Sequence, residues 1–405
     1  MGRAGKFACI AALASALCAP AAGAARTQNG ATAPRAAHSA GAACPSAADS
    51  EALLAQASAM LQQGQLQPVI TLLEPASGHC DPRIDLLLAG AFEGSGNLAA
   101  AEGALQRAHA RWPANTSIAV SLAREYLGAG DTGKAVAALA DYHPAATAPP
   151  QELKEAALVF IAGHKLVRAM AAAQRTYQSD PSLETLLLVA NVLQLQGRYK
   201  DVNRFLAGRR AAYGSFAPFL ITAAESEYDA MLYDAAQKDL NQAIAIDPNA
   251  YQAHFLLGNV YEAENLTDRA AAEYRITTDI APEQPRAYYQ LALIAHARQD
   301  DAGEQRLLEQ SLAADKTYAP AHCEMGRLLV GQHHYDDAVT QLNLAIEYNP
   351  QTEQAYYLLA RAYAALGETG KSDAMVKRYD QVRAANRRSA TDTRAGQLGA
   401  GQSAH

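Results

Sequence analysis

The chain has 405 residues, of which 50% are hydrophobic and 19% charged, with a formal net charge of −7. That apolar fraction supports a large folded core and excludes wholesale disorder. The negative balance excludes a general nucleic-acid binder, which needs a basic field to displace counterions. Alternation of Val, Ile and Thr is sparse, whereas Ala, Leu, Gln and Arg are abundant, so an all-α class is expected.

In chain order, the first element reads as an export signal. Arg3 and Lys6 form a charged start, Phe7 to Leu17 is apolar, and Ala22-Gly23-Ala24 offers a small-x-small cleavage site. The apolar run is shorter than the roughly 20 residues that span a bilayer. Lipidation at Cys18 is the alternative, but the bulky Leu17 before it departs from a lipoprotein signal. Residues 1–24 are therefore expected to be removed, leaving a periplasmic or secreted chain with no membrane span. Its net charge shifts from −7 towards −9 as Arg3 and Lys6 leave. Of the remaining cysteines, Cys44 and Cys80 are the natural disulfide pair in an oxidising compartment, with two free thiols as the alternative, and Cys323 is left over.

Residues 25–48 are small and polar with no apolar period, and read as a flexible leader. A repeat then runs over 49–386. One small residue recurs at Ala57, Gly90, Ala123, Ala157, Ala190, Ala224, Gly258, Ala292, Gly326 and Ala360, at steps of 33 or 34. A second ladder runs through Leu73, Leu105, Leu139, Ala173, Leu206, Leu240, Tyr274, Leu308, Leu342 and Val376. Pro82, Pro113, Pro144, Pro181, Pro248, Pro282 and Pro350 punctuate the unit ends, and Gly64, Gly96, Gly130, Gly197, Gly331 and Gly367 the middles. Such a period describes two helices of about a dozen residues per unit. Residues 387–405 lose the apolar pattern and are expected to form a disordered tail.

The repeat resembles the tetratricopeptide-repeat family. Its clearest copy, 251–284, carries Leu257, Gly258, Tyr261, Ala270, Tyr274 and Pro282, and 353–386 repeats it with Leu359, Ala360, Tyr363 and Gly367. The resemblance implies a right-handed superhelical solenoid of about ten helix-turn-helix repeats whose first helices line a concave, peptide-holding groove. Departures are Glu304 and Ser372 at the small position of the second helix, and Gly214 and Lys316 where prolines are expected.

No grouping outweighs an ordinary structural role as a catalytic or metal site. Gly94-Ser95-Gly96 and Gly128-Ala129-Gly130 lack the preceding strand of a phosphate loop. His333 and His334 beside Asp336 and Asp337 fall in a turn, where four ligands seldom converge. Neither a metal nor a cofactor is expected, and the chain is expected not to be an enzyme. The groove rows, Phe255, Tyr289, Cys323 and Tyr357 in one and Asn259, Leu293, Arg327 and Arg361 in another, hold the candidate ligand contacts Phe255, Tyr289, Tyr357, Asn259, Arg327 and Arg361, with Arg286 and His296 on the same wall. Aromatic rings give rigid contact area, and guanidinium forks suit the carboxylates of an acidic peptide. The expected function is a non-enzymatic scaffold or adaptor of the cell envelope that binds a peptide or protein segment. The alternative is an accessory helical subunit of an envelope enzyme assembly, glycosyl-transfer or protease, whose catalytic chain is separate.

Overall fold

The computed structural model describes residues 47–77 and 81–402, and these form 21 α-helices with no strand among the described residues. The all-α expectation holds. The leader, the cleavage site, Cys44 and Cys80 lie outside the described residues. Two compact units divide between Leu195 and Gln196.

Unit 1 contains α1 (Ala47–Gln62), α2 (Leu66–Leu73), α3 (Pro82–Gly94), α4 (Leu98–Arg111), α5 (Thr116–Gly128), α6 (Thr132–Ala138), α7 (Pro150–Ala162), α8 (Leu166–Ser179) and α9 (Leu183–Leu195). Unit 2 opens with α10 (Tyr199–Ala207) and a one-turn insertion, α11 (Arg210–Tyr213). Four hairpin pairs lead on from there: α12 (Ala217–Asp229) with α13 (Tyr233–Ile246), α14 (Tyr251–Ala263) with α15 (Thr267–Ile280), α16 (Pro285–Ala297) with α17 (Asp301–Ala314), and α18 (Ala319–Gly331) with α19 (Tyr335–Tyr348). The last pair is α20 (Glu353–Ala365) with α21 (Thr369–Gln402). Within each unit the pairs stack in order, each second helix also packing on the first helix of the following pair.

The two sequence ladders interlock. Gly258 on α14 leaves a notch filled by Tyr274 of α15, and Gly326 on α18 one filled by Leu342 of α19. Both large residues are completely buried. The prolines fall between pairs or, at Pro82, in the first turn of a helix, where a missing N–H costs nothing. Side chains of Asp81, Asn97, Asn115, Asp131 and Asp300 accept backbone N–H bonds at helix starts. Asn115, the first residue of a sequon-like triplet, is thus an N-cap.

Two features differ from the sequence reading. The residue that reverses the chain inside a pair has a positive φ, and Gly331 is not one of these; it closes α18, and His333 takes the left-handed conformation at φ 62. Gly64, Gly96, Gly130, Gly197 and Gly367 do supply it elsewhere, whereas His164, Met231, Asn265, Gln299 and His333 adopt it against a steric cost. Secondly, residues 387–402, expected as a disordered tail, continue α21. Ala, Arg and Gln favour helix without an apolar stripe, and growth from an existing helix avoids the cost of nucleation.

The notch yields a test. A Cβ on Gly258 would lie 2.5 Å from the Tyr274 ring, which has no free space to retreat into. Gly258→Ala should therefore lower stability by about 1–3 kcal/mol despite the higher helix propensity of alanine. Urea unfolding followed by helix circular dichroism reads this, and an unchanged or raised midpoint would count against the interlock.

Candidate groove on the first helices of unit 2

The wall is built by α14, α16, α18 and α20, with side chains reaching through from the second helices. At its start, the Tyr274 hydroxyl emerges beside Asn259 and Glu262, at 2.8 Å from Asn259 Oδ1 and 3.0 Å from Glu262 Oε2. Asn259 is thus an acceptor for a buried tyrosine, and Gln290 Nε2 on α16 donates to Glu262 at 3.2 Å. Phe255 tilts against the Tyr274 ring at 5.6 Å between centroids, and the Arg286 guanidinium lies 5.8 Å from the Phe255 ring centre. Tyr289 meets Tyr318 edge-on at 5.7 Å. Burial raises the Tyr289 hydroxyl pKa, and the Glu324 carboxylate adds to this, so the group stays protonated.

Further along, a charged network crosses three helix pairs. Glu304 is 1% exposed, at a position where the repeat prefers a small residue. It bonds to the Arg327 guanidinium, and His296 Nδ1 lies 3.1 Å from its other oxygen. Arg327 also donates to Glu324 at 2.5 Å, and Gln354 of α20 donates to Glu324 at 3.3 Å. Burial works against the Arg327 charge, but the hydrogen bond and charge of Glu324, followed by those of Glu304, outweigh it and raise its pKa. Cys323 beside it is 3% exposed and its thiol is pushed up to about 12, mainly by burial, so it packs as an apolar residue. The wall is open at His296, whose side chain is 48% exposed, and at its end, where Tyr357 is 51% exposed with Arg361 5.9 Å from its ring centre.

All eight residues singled out in the sequence therefore line successive first helices, but in two states. Asn259, His296 and Arg327 form polar contacts and Phe255, Arg286 and Tyr289 ring contacts within the protein, whereas Tyr357 and Arg361 face outwards. Sequence reasoning missed Glu304 as a partner, although its departure from the small-residue pattern marked it, and it missed Glu324, whose only signal is the spacing of three residues to Arg327. Unit 1 holds a similar device. Arg124 of α5 lies 2.6 Å from Glu93 and 3.6 Å from Glu155, and the neighbouring Glu125 is pushed up to about 7 by burial and then by Glu93. The other motifs are ordinary turns, with His333 Nδ1 2.7 Å from the Tyr335 hydroxyl. No group of three or more His, Cys, Asp and Glu side chains suited to a metal occurs among the described residues. Nor is any described helix long and apolar enough to cross a membrane.

Because Glu304 is buried, removing Arg327 leaves its carboxylate with only the partly exposed His296 as a partner. Arg327→Ala should cost about 3 kcal/mol or more, whereas Arg361→Ala, at an exposed position, should cost under about 1 kcal/mol. Urea midpoints compare the two, and equal shifts would mean that Arg327 does not hold Glu304.

Comparison with known proteins locates the family. Residues 221–285 and 323–372 match the tetratricopeptide-repeat model, spanning α12 to the start of α16 and α18 to the start of α21. No curated protein sequence matches significantly. Among solved structures, MamA is 18% identical with a TM-score of 0.37, covering 44% of this chain and 96% of its own. YrrB, described as a tetratricopeptide-repeat protein with an unusual peptide-binding site, is 17% identical with a TM-score of 0.36, covering 49% and 97%. Yeast Tom70 is 12% identical with a TM-score of 0.44, covering 87% and 96%. The two matched stretches carry tetratricopeptide repeats, and they share their hairpin and its left-handed turn with the neighbouring pairs.

Proposed function

We infer that the chain is a non-enzymatic scaffold of the cell envelope that holds a peptide or protein segment against the first helices of unit 2. Tetratricopeptide repeats generally mediate protein–protein interaction. The observation that supports the groove is the set of ring–guanidinium contacts on the first helices, Phe255 with Arg286 on α14 and α16 and Tyr357 with Arg361 on α20, with Tyr289 of α16 between them. Rings of this kind present contact area at low entropy cost and cluster at the energetic centres of interfaces. Export is supported by Arg3, Lys6, the apolar run to Leu17 and Ala22-Gly23-Ala24.

The test has two readouts. Protein recovered from the periplasm or medium should give an intact mass beginning at Ala25; a full-length mass, or acyl chains on Cys18, would overturn export. The mature chain is then used to capture partners from envelope extract, and affinities are compared with Arg286→Ala/Leu293→Glu, which places a carboxylate on the groove row and substitutes no residue of the Arg327 network. At least a tenfold loss, about 1.4 kcal/mol, is expected. An affinity within about twofold of wild type would overturn the groove reading.

A further inference from the structure

The final helix pair, which gives Tyr357 and Arg361 to the groove, departs from the others in its second helix. Along the second helices of unit 2, Ala243, Thr277, Ser311 and Ala345 recur every 34 residues, each small and almost completely buried. The following place in that register is Tyr379 on α21. Its ring meets Tyr357 of α20 at 6.0 Å, so the end of the stack carries a pair of aromatic rings where a further repeat would need a small residue. Val376, at the place of the buried Leu308 and Leu342, is 47% exposed. The end is therefore shaped against an eleventh first helix, yet it remains apolar.

Each ring also carries an arginine one turn further along its own helix. Arg361 lies 5.9 Å from the Tyr357 ring centre and Arg383 5.7 Å from that of Tyr379. Elsewhere in unit 2, Arg198, Arg204, Arg210, Arg298 and Arg327 each face a carboxylate, and Arg269 lies singly over the Tyr261 ring at 5.8 Å, without the paired rings of the last helix pair. Among the described residues Arg361 and Arg383 face none, although Asp373 and Asp380 sit on the same helix as Arg383. A guanidinium lying over a ring is oriented by it and keeps its N–H fork open, which suits a carboxylate.

We propose that the α20–α21 end face, through the paired Tyr357–Arg361 and Tyr379–Arg383, is a docking site for an acidic segment of a partner protein. Each arginine receives a carboxylate, and apolar side chains of the segment cover Tyr357 and Val376. The proposal deepens the scaffold reading and rests on it in taking a protein segment as the ligand. It moves recognition of acidic groups from Arg327, which is already neutralised, to the end of the stack. Acidic peptide is favoured over nucleic acid because a chain of net charge −7 repels a polyanion at long range, whereas a short segment needs only the two local cations.

The probe is a short fluorescein-labelled peptide of Asp, Glu, Leu and Phe, read by fluorescence anisotropy at low salt, with its Asn/Gln counterpart as control. The full mature chain should bind the acidic peptide and not the control, and Arg361→Gln/Arg383→Gln should weaken binding by about tenfold or more. Both arginines are exposed, so circular dichroism should be unchanged. Equal binding by wild type and the double variant, or no binding by wild type, overturns the proposal. If Arg286→Ala/Leu293→Glu abolishes binding while the arginine pair does not matter, the groove reading stands and this one falls. Tighter binding of a short single-stranded oligodeoxynucleotide than of the peptide also overturns it.

Discussion

The contact on which unit 2 depends is the close approach of a first and a second helix where one of them has almost no side chain. At Gly258 and Gly326 the absent Cβ makes room for Tyr274 and Leu342, and both fill their notch without residual exposure. Interiors packed this tightly transmit any change in volume, so the small residue fixes the distance between the helices of a pair. The pair in turn fixes where the following first helix can lie. A stack of such pairs then presents one face of every first helix along a common wall.

The notch also explains how a second helix takes part in a wall built by first helices. Tyr274 passes over Gly258, and its hydroxyl reaches Asn259 and Glu262. Glu304 acts in the same sense from α17, holding Arg327 and His296 on two different first helices. A buried carboxylate is costly unless it is paired, and it ties together the residues that pair with it. The middle of the wall is consequently stiff and electrically satisfied, and a ligand there meets rings and amides more than open charge.

Whether an arginine on a first helix is open to a partner depends on what its own helix and the preceding pair supply. One repeat on from Glu304 and Glu324 stand Ala338 and Leu358, so Arg361 lacks the clamp of Arg327, and Arg361 and Arg383 lie over rings instead. Unit 1 repeats the clamp of Arg327, with Arg124 flanked by Glu93, Glu125 and Glu155. An arginine in the groove row is thus informative about binding only once its neighbours on adjacent pairs are known.

The sequence by itself determined the helical class, the 34-residue period, the small and large ladders, and the face on which Phe255 to Arg361 lie. Each of these follows from periodicity and side-chain volume along a single chain, which a sequence displays directly. It also flagged Glu304 as irregular. What only the tertiary structure decided is which of those residues remain open. Arg327 and Arg361 stand one repeat apart at equivalent places and read alike in the sequence, yet one is clamped by two carboxylates and the other rests on a tyrosine ring. Likewise Gly331 looked like the turn residue, but the φ that reverses the chain falls two residues later at His333. The physical reason is common to both: a period assigns a residue to a face, whereas its conformation and its partners are set by side chains brought from other helices.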